Sequence, residues 1–320
     1  MSSPQPFRFG VQATRAASGQ EWFDLARRVE DLGYSTLFLT DHYLGRGPAA
    51  RECNLPAQHF APISAMAAAA AVTTTLRIGC RVFAVDFHMP VALAKEIATI
   101  DVLSGGRVEL GIGAGGQGPE YRALGLDFKP GKERVDKLEE VVALIKAHWS
   151  GEPIDQHGEH VNVTGFSGLP AVVQRPHPPI MIGGNRNRML RLAARQADIV
   201  SISNVPFDPV NEAGLSPREE ALRRAEVVRT AAGGRTIEIE AAPYFTIVTD
   251  DPASAYTDIA GWINADPTVL PEHPNVLVGT IDEMAERLQA NRADYGTNYV
   301  TVPLNAVDTF APVVARLTGQ

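Results

Sequence analysis

Residues 178–200 read PPIMIGGNRNRMLRLAARQADIV and contain one complete strand, turn, helix and second strand. The apolar run Pro179–Gly183 predicts a buried strand, and Met189 and Leu192 then recur at the spacing of one helix face. This helix leads directly into a second apolar run, Ile199–Ser203. Strands joined by a helix pair in parallel through a right-handed crossover, so the stretch predicts an α/β fold.

The same alternation of short apolar runs and longer amphipathic patterns continues along the chain. The other strand candidates are Phe7–Val11, Thr36–Thr40, Leu76–Phe83, Val108–Gly113, Ile239–Val248 and Asn298–Val302. Together with the two runs above they supply the eight strands that close a (β/α)8 barrel. We therefore predict a TIM (β/α)8 barrel with insertion segments, and an open, doubly wound parallel sheet is the alternative fold.

Length and composition limit the organisation of the molecule. The 320 residues are 45% hydrophobic and 21% charged, which excludes general disorder. We predict a single barrel domain over residues 1–320, with insertion loops at about 44–62 and 151–178 that are too irregular for a minimal barrel unit. The net charge of −8 argues against general nucleic-acid binding.

Cysteine usage and hydropathy bear on the compartment. The two cysteines, Cys53 and Cys80, form no CxxC pair and cannot build a disulfide framework. The first residues lack the apolar core of a signal peptide, and the alanine-rich run Ile63–Val72 is too short to cross a membrane. We expect a cytoplasmic protein without a membrane partner.

Reactive side chains are expected at the carboxyl ends of the strands, where TIM barrels carry their active sites. Gln12, Asp41, His42 and Gly113 occupy such positions. His42 is the candidate acid–base group because imidazole titrates near neutrality, and a histidine that only caps a strand at the barrel rim is the alternative. Asp41 precedes His42, but adjacent residues of a strand point to opposite sides, so the pair need not be hydrogen-bonded.

A glycine-rich turn follows the strand Pro179–Gly183. Gly183, Gly184 and Asn185 precede a helix, and Arg186 adds positive charge close by. Backbone N–H groups at such a turn and the helix N-terminus together attract phosphate. The interpretation is therefore a phosphate site, and the alternative is an ordinary turn that requires small residues.

A second glycine-rich segment, Gly111–Gly118, superficially resembles a dinucleotide-binding fingerprint. It does not follow an early strand of the chain, so we interpret it as a glycine-lined floor for a flat ligand, with a structural turn as the alternative. His157, Glu159 and His160 have side chains that can bind metals, but their spacing does not give the three fixed ligands that a metal site requires. No metal site is predicted.

Six stretches of the sequence together form a pattern that is typical of one family. They are FGVQ (9–12), LGYSTLFLTDH (32–42), SGGRVELGIGAG (104–115), PPIMIGG (178–184), LAARQADIV (192–200) and VGTIDEMAERL (278–288). Over nearly its whole length the chain resembles the bacterial luciferase-like monooxygenase superfamily, and within it the coenzyme F420-dependent oxidoreductases.

The resemblance implies a TIM barrel, a homodimer and a deazaflavin that lies across the barrel mouth. His42 matches the histidine that relatives place over the reactive ring, with Asp41 beside it. The implied cofactor contacts are Gln12, Cys80, Arg81, Val82 and Gly113 at the ring and Gly183, Gly184 and Asn185 at the phosphate. A non-proline cis peptide bond is also implied in a bulge near residues 79–82, and we place it at Cys80–Arg81.

Two departures from the pattern bear on cofactor and substrate. Gly116 stands where the sugar-phosphate dehydrogenases of this group carry glutamate, so we do not expect that activity. Ala84 and Val85 replace an Asn-Asn pair common in related enzymes, which leaves FMN as the alternative cofactor. The expected function is F420-dependent hydride transfer to or from a small organic substrate. The alternatives are an FMN-dependent monooxygenase that uses a separate reductase and a non-catalytic flavin-binding barrel.

Overall fold

Buried apolar strands close into a parallel barrel in the computed structural model, which describes residues 5–320. In chain order the strands are β1 (Arg8–Gln12), β2 (Thr36–Leu39), β3 (Arg77–Ala84), β4 (Val108–Gly113), β5 (Ile154–His157), β6 (Asn162–Phe166), β7 (Ile180–Gly184), β8 (Ile199–Ile202), β9 (Glu238–Ala241), β10 (Phe245–Val248), β11 (Val276–Gly279) and β12 (Thr297–Pro303). The barrel order is β1-β12-β9-β8-β7-β4-β3-β2. The predicted TIM barrel is confirmed, and the open-sheet alternative is wrong.

Helices connect and surround the barrel strands. They are α1 (Gly19–Asp31), α2 (Pro48–Cys53), α3 (Pro62–Val72), α4 (Pro90–Ser104), α5 (Gly118–Leu124), α6 (Gly131–Ser150), α7 (Asn187–Gln196), α8 (Pro217–Ala232), α9 (Pro252–Ile263), α10 (Ile281–Tyr295) and α11 (Ala311–Leu317). Two of them begin with capping boxes, in which Ser216 with Glu219 and Thr280 with Glu283 satisfy the first N–H groups of α8 and α10.

One predicted strand is wrong in its extent. The run Ile239–Val248 divides into β9, which belongs to the barrel, and β10, which pairs in parallel with β11 in a separate two-stranded sheet. Pro243 lies between the two strands and has no N–H group to give a strand ladder, which is why the run cannot continue as one strand. The other seven predicted barrel strands agree with the structure to within one residue at each end.

The two predicted insertions differ in regularity. The segment 44–62 is not a continuous loop, because it contains the short helix α2. The segment 151–178 contains the antiparallel hairpin of β5 and β6. Asp101 of α4 is fully buried and accepts hydrogen bonds from the backbone N–H groups of Val173 and Gln174, which holds the end of this insertion.

Internal contacts divide the chain into two compact units, which are described separately. One comprises the segment that ends at Gln12 together with Val29–Thr36 and Gly183–Gln320, and the other comprises Ala13–Arg28 and Leu37–Ile182. The single-domain organisation stays a prediction. Within residues 5–320, no helix has both the length and the apolar surface that a membrane crossing requires.

His273 is a buried histidine of the first unit. Its ring stacks on Phe207 with 3.9 Å between the centroids. Nδ1 accepts a hydrogen bond from the Asn275 N–H group and Nε2 donates one to the Pro206 carbonyl, both at 3.0 Å. The neutral ring therefore has its hydrogen bonds satisfied, and burial lowers the pKa of His273 from 6.5 to about 4.

We predict that acid destabilises the fold through His273. As the pH falls from 6.5 towards 4, the unfolded chain protonates this ring while the folded chain does not, so the free energy of unfolding decreases. At pH 5 the loss relative to pH 8 is about 2 kcal/mol. Urea unfolding of the wild type and His273→Gln over this pH range measures it as a difference in slope.

The exposed His157 supplies the control, since its ring meets water in both states and His157→Gln should keep the wild-type slope. A His273→Gln variant that also keeps that slope would contradict the prediction. Carboxylates titrate in all three proteins and cancel in the comparison.

Candidate active site

A buried carboxylate stands at the carboxyl end of β2. Asp41 is 2% exposed, and its Oδ2 accepts hydrogen bonds from the Ala84 N–H group and from His88 Nε2, both at 2.9 Å. Its Oδ1 is buried and has no hydrogen-bond partner within residues 5–320. A buried carboxylate oxygen without a donor is costly, so this atom is a natural acceptor for a ligand N–H or O–H group.

His42, the next residue, has a different hydrogen-bond partner. Its Nδ1 lies 2.7 Å from Oε2 of Glu120, a side chain only 1% exposed at the start of α5. Glu120 Oε1 accepts a second hydrogen bond, from the Tyr43 N–H group at 2.8 Å. Asp41 and His42 therefore lie in separate hydrogen-bond networks.

Glu120 is a site residue that the sequence analysis missed. It lies 78 residues from His42 and inside a helix, so the rule of strand ends does not select it. The available signal is its position after the glycine-rich segment Gly111–Gly118, but an acidic residue in the first turn of a helix is common for electrostatic reasons alone.

The bulge expected at the end of β3 is present, with one correction. The pairing of β3 with β4 shifts register between Cys80 and Phe83, and the non-proline cis bond is Arg81–Val82, one peptide later than the predicted Cys80–Arg81. Cys80 is completely buried, and burial raises the pKa of its thiol well above the usual value. Its thiol therefore stays protonated and is not a nucleophile.

The glycine-rich segment is fastened by a second polar cluster. The Tyr121 hydroxyl donates to Asp86 Oδ2 at 2.9 Å, and Lys137 Nζ donates to Asp86 Oδ1 at 2.6 Å. A Cβ atom at Gly115 would overlap the Tyr121 hydroxyl, and the backbone there has φ +71°, so only glycine fits. Gly116, in contrast, faces open space, and its role as a floor for a flat ligand stays a prediction.

The remaining predicted site residues lie in the other unit. Gln12 ends β1 and pairs with Pro303 of β12. Gly183 and Gly184 end β7, and Asn185 leads into α7, whose N-cap makes no side-chain hydrogen bond to the first turn. N–H groups at a helix start without a side-chain cap are suited to a phosphate.

Asp41, His42, Cys80, Arg81, Val82 and Gly113 lie in one unit, while Gln12, Gly183, Gly184 and Asn185 lie in the other. Gly113 faces Ala84 in the strand register, and Ala84 binds Asp41, so these three are brought together.

The residues present fit a deazaflavin or a flavin in one respect, the hydrogen-bond acceptor at Asp41. Both rings carry an imide N–H group and a polyol, and the partnerless Asp41 Oδ1 is a buried acceptor for such donors. Across the described residues, 5–320, no three His, Cys, Asp or Glu side chains are grouped as a metal ion requires.

A family model and several curated proteins are similar to this chain. A family model described as luciferase-like monooxygenase matches residues 4–297. The F420-dependent glucose-6-phosphate dehydrogenase of Microbacterium testaceum is 30% identical over 203 residues, which are 60% of this chain and 55% of the relative. The FMNH(2)-dependent dimethylsulfone monooxygenase of Pseudomonas putida is 28% identical over 179 residues, 56% of this chain and 47% of the relative. The chain thus spans about half the length of these curated relatives.

A solved structure supports the fold independently. The coenzyme F420-dependent tetrahydromethanopterin reductase of Methanopyrus kandleri superposes with a TM-score of 0.74 and 17% identity, over 98% of both chains. At this identity the likeness concerns the fold alone.

We predict that Gly111→Ala destabilises the protein, because a Cβ atom at Gly111 would overlap the Cys80 carbonyl and crowd Val82. A backbone atom cannot move aside as a side chain does, so the expected loss is about 3 kcal/mol in the free energy of unfolding. Urea denaturation measures it.

Gly116→Ala is the matched control, since the space at Gly116 is open. Its unfolding free energy should stay within about 0.5 kcal/mol of the wild type. Equal stabilities of the two variants would show that β3 and β4 tolerate the extra atom and would contradict the prediction.

Proposed function

The chain belongs to the luciferase-like monooxygenase family, and we propose that it transfers a hydride between coenzyme F420 and a small organic substrate. Its relatives are named dehydrogenases and monooxygenases, so the chain is an oxidoreductase. Since it spans about half the length of those relatives, their particular substrates are not carried over.

The observation that carries the proposal is the pairing of His42 with the buried Glu120. The residue before His42 is Asp41, whose buried Oδ1 has no hydrogen-bond partner among residues 5–320. Hydride transfer to a carbonyl or from an alcohol also moves one proton on the substrate oxygen. A half-buried imidazole held at Nδ1 leaves Nε2 for that proton.

A bound deazaflavin supplies a ring carbon that gives or accepts the hydride. His42 Nε2 takes the hydroxyl proton when an alcohol is oxidised and returns it when a carbonyl is reduced, so the hydride and the proton account for both hydrogens that the alcohol loses. Asp41 Oδ1 would accept a hydrogen bond from the bound cofactor and so orient it. A direct catalytic role of Asp41 stays a prediction.

The proposed ring contacts in the same unit are Cys80, Arg81, Val82 and Gly113, which border the bulge of β3 and the end of β4. The roles of Gln12, Gly183, Gly184 and Asn185 in holding the cofactor stay predictions from the sequence. We also propose a cytoplasmic homodimer, on the strength of the family resemblance, and sedimentation equilibrium of the purified protein tests the dimer.

An FMN-dependent monooxygenase supplied by a separate reductase is the second candidate. It is favoured by the likeness to the FMNH(2)-dependent relative and by Ala84 and Val85, which bring no amide groups to the end of β3. Gly116 has no side chain to contact a sugar phosphate, so the proposal does not extend to glucose-6-phosphate.

The cofactor is tested by parallel absorbance titrations of the purified protein with F420 and with FMN. We expect micromolar binding of F420 and binding of FMN at least about tenfold weaker, a difference of about 1.4 kcal/mol in binding free energy. Binding of FMN alone would contradict the F420 assignment. Binding of either without turnover over a broad panel of alcohols and carbonyls would contradict the proposed activity.

His42→Asn tests the proton-transfer role. Since the amide cannot exchange a proton near neutral pH, we expect kcat for the substrate found in that panel to fall about 100- to 10,000-fold, with F420 affinity within a few-fold of the wild type. His59→Asn is the control, because His59 is exposed and its Nδ1 donates to the Ala16 carbonyl at 2.8 Å. Unchanged turnover in His42→Asn would remove His42 from the mechanism.

A further inference from the structure

The two carboxylate oxygens of Glu120 have different hydrogen-bond partners. Oε1 accepts the Tyr43 backbone N–H group at 2.8 Å, and Oε2 lies 2.7 Å from His42 Nδ1. We infer that Glu120 selects the tautomer of His42, so that Nδ1 carries the ring proton and Nε2 is the bare nitrogen that receives a proton from substrate. Glu120 is then a positioning residue, and its effect on turnover rests on the proposed function.

The argument begins with the donors. A backbone N–H group is only a donor, so Oε1 must accept from Tyr43. An ionised carboxylate has no proton to donate, and therefore Oε2 must also accept. The shared hydrogen bond is satisfied only if His42 Nδ1 carries its hydrogen. In a neutral imidazole this leaves Nε2 unprotonated.

Burial of Glu120 strengthens the preference for one tautomer of His42. The Glu120 side chain is 1% exposed, so water does not replace a lost hydrogen bond at its oxygens. His42 is 26% exposed, which leaves part of its ring open towards solvent or a ligand. The buried end of the imidazole is thus fixed by the protein, and the remaining nitrogen is available for chemistry.

The position of Glu120 is fixed from outside the pair. Its neighbour Tyr121 is anchored through its hydroxyl to Asp86, which Lys137 holds in turn. The Tyr121 hydroxyl also packs against Gly115, where an added Cβ atom would overlap it. These contacts keep the carboxylate within reach of both donors.

Glu120→Gln tests the inference because an amide has one accepting oxygen and one donating nitrogen. Tyr43 still demands the oxygen, so the NH2 group must face His42 Nδ1 and donate to it. The ring proton then moves to Nε2. A purely structural role of Glu120 predicts no such exchange of the two nitrogens.

The measurement is long-range ¹H–¹⁵N NMR of the full-length, cofactor-free protein with ¹⁵N-labelled histidine, recorded at about pH 8. The His42 signals are assigned by their absence in His42→Asn. We expect a protonated, pyrrole-type Nδ1 and an unprotonated, pyridine-type Nε2 in the wild type, and the reverse in Glu120→Gln. Glu139→Gln, at an exposed position of α6, should keep the wild-type pattern.

Two results would overturn the inference. One is a wild-type His42 with its proton on Nε2 or on both nitrogens, which needs no variant and stands even if Glu120→Gln does not fold. The other is a folded Glu120→Gln protein that keeps the wild-type tautomer.

Turnover separates this inference from the proposed function. If both hold, kcat in Glu120→Gln falls about 1,000- to 10,000-fold with little change in KM, as expected for a catalytic histidine in the wrong tautomer. A reversed tautomer in a protein that does not bind F420 would support the inference and count against the proposed function.

Discussion

The buried carboxylates that tie the end of β2 to its neighbours are the constraint on which the site depends. Asp41 binds the Ala84 N–H group at the end of β3 and the side chain of His88. Glu120, on α5, binds His42 and Tyr43, the two residues that follow Asp41. Burial of a carboxylate is costly unless donors surround it, so each of these groups fixes the geometry of the donors that it needs. The loop after β2 is thereby held on two sides.

Close backbone packing gives the second part of the site. Gly111 of β4 lies against the Cys80 carbonyl so tightly that a Cβ atom would overlap it, and Gly79 approaches Phe38 and the Glu109 carbonyl in the same way. Glycine at these positions lets the bulge of β3 form next to β4 without side chains between them. The result is direct packing of the β3 backbone against the β4 backbone, both buried at these positions.

Sequence reasoning succeeded where the signal was local and periodic. Eight apolar runs, each followed by a helical pattern, were sufficient for the barrel, and the strand ends directed attention to Asp41 and His42. It failed at Ile239–Val248, where one apolar run serves two sheets, and at the cis bond, where the register of β3 against β4 decides which peptide is involved. Propensity carries no information about such partners, because strand pairing depends on residues far away in the chain.

The sequence by itself determined the barrel, the catalytic histidine candidate and the glycine turns, since each follows from residue type and spacing along one segment. Only the tertiary structure decided that Asp41 and His42 act in separate networks and that Glu120 is the partner of His42. The physical reason is that a hydrogen bond requires two atoms within about 3 Å, and chain folding alone brings together residues 78 positions apart.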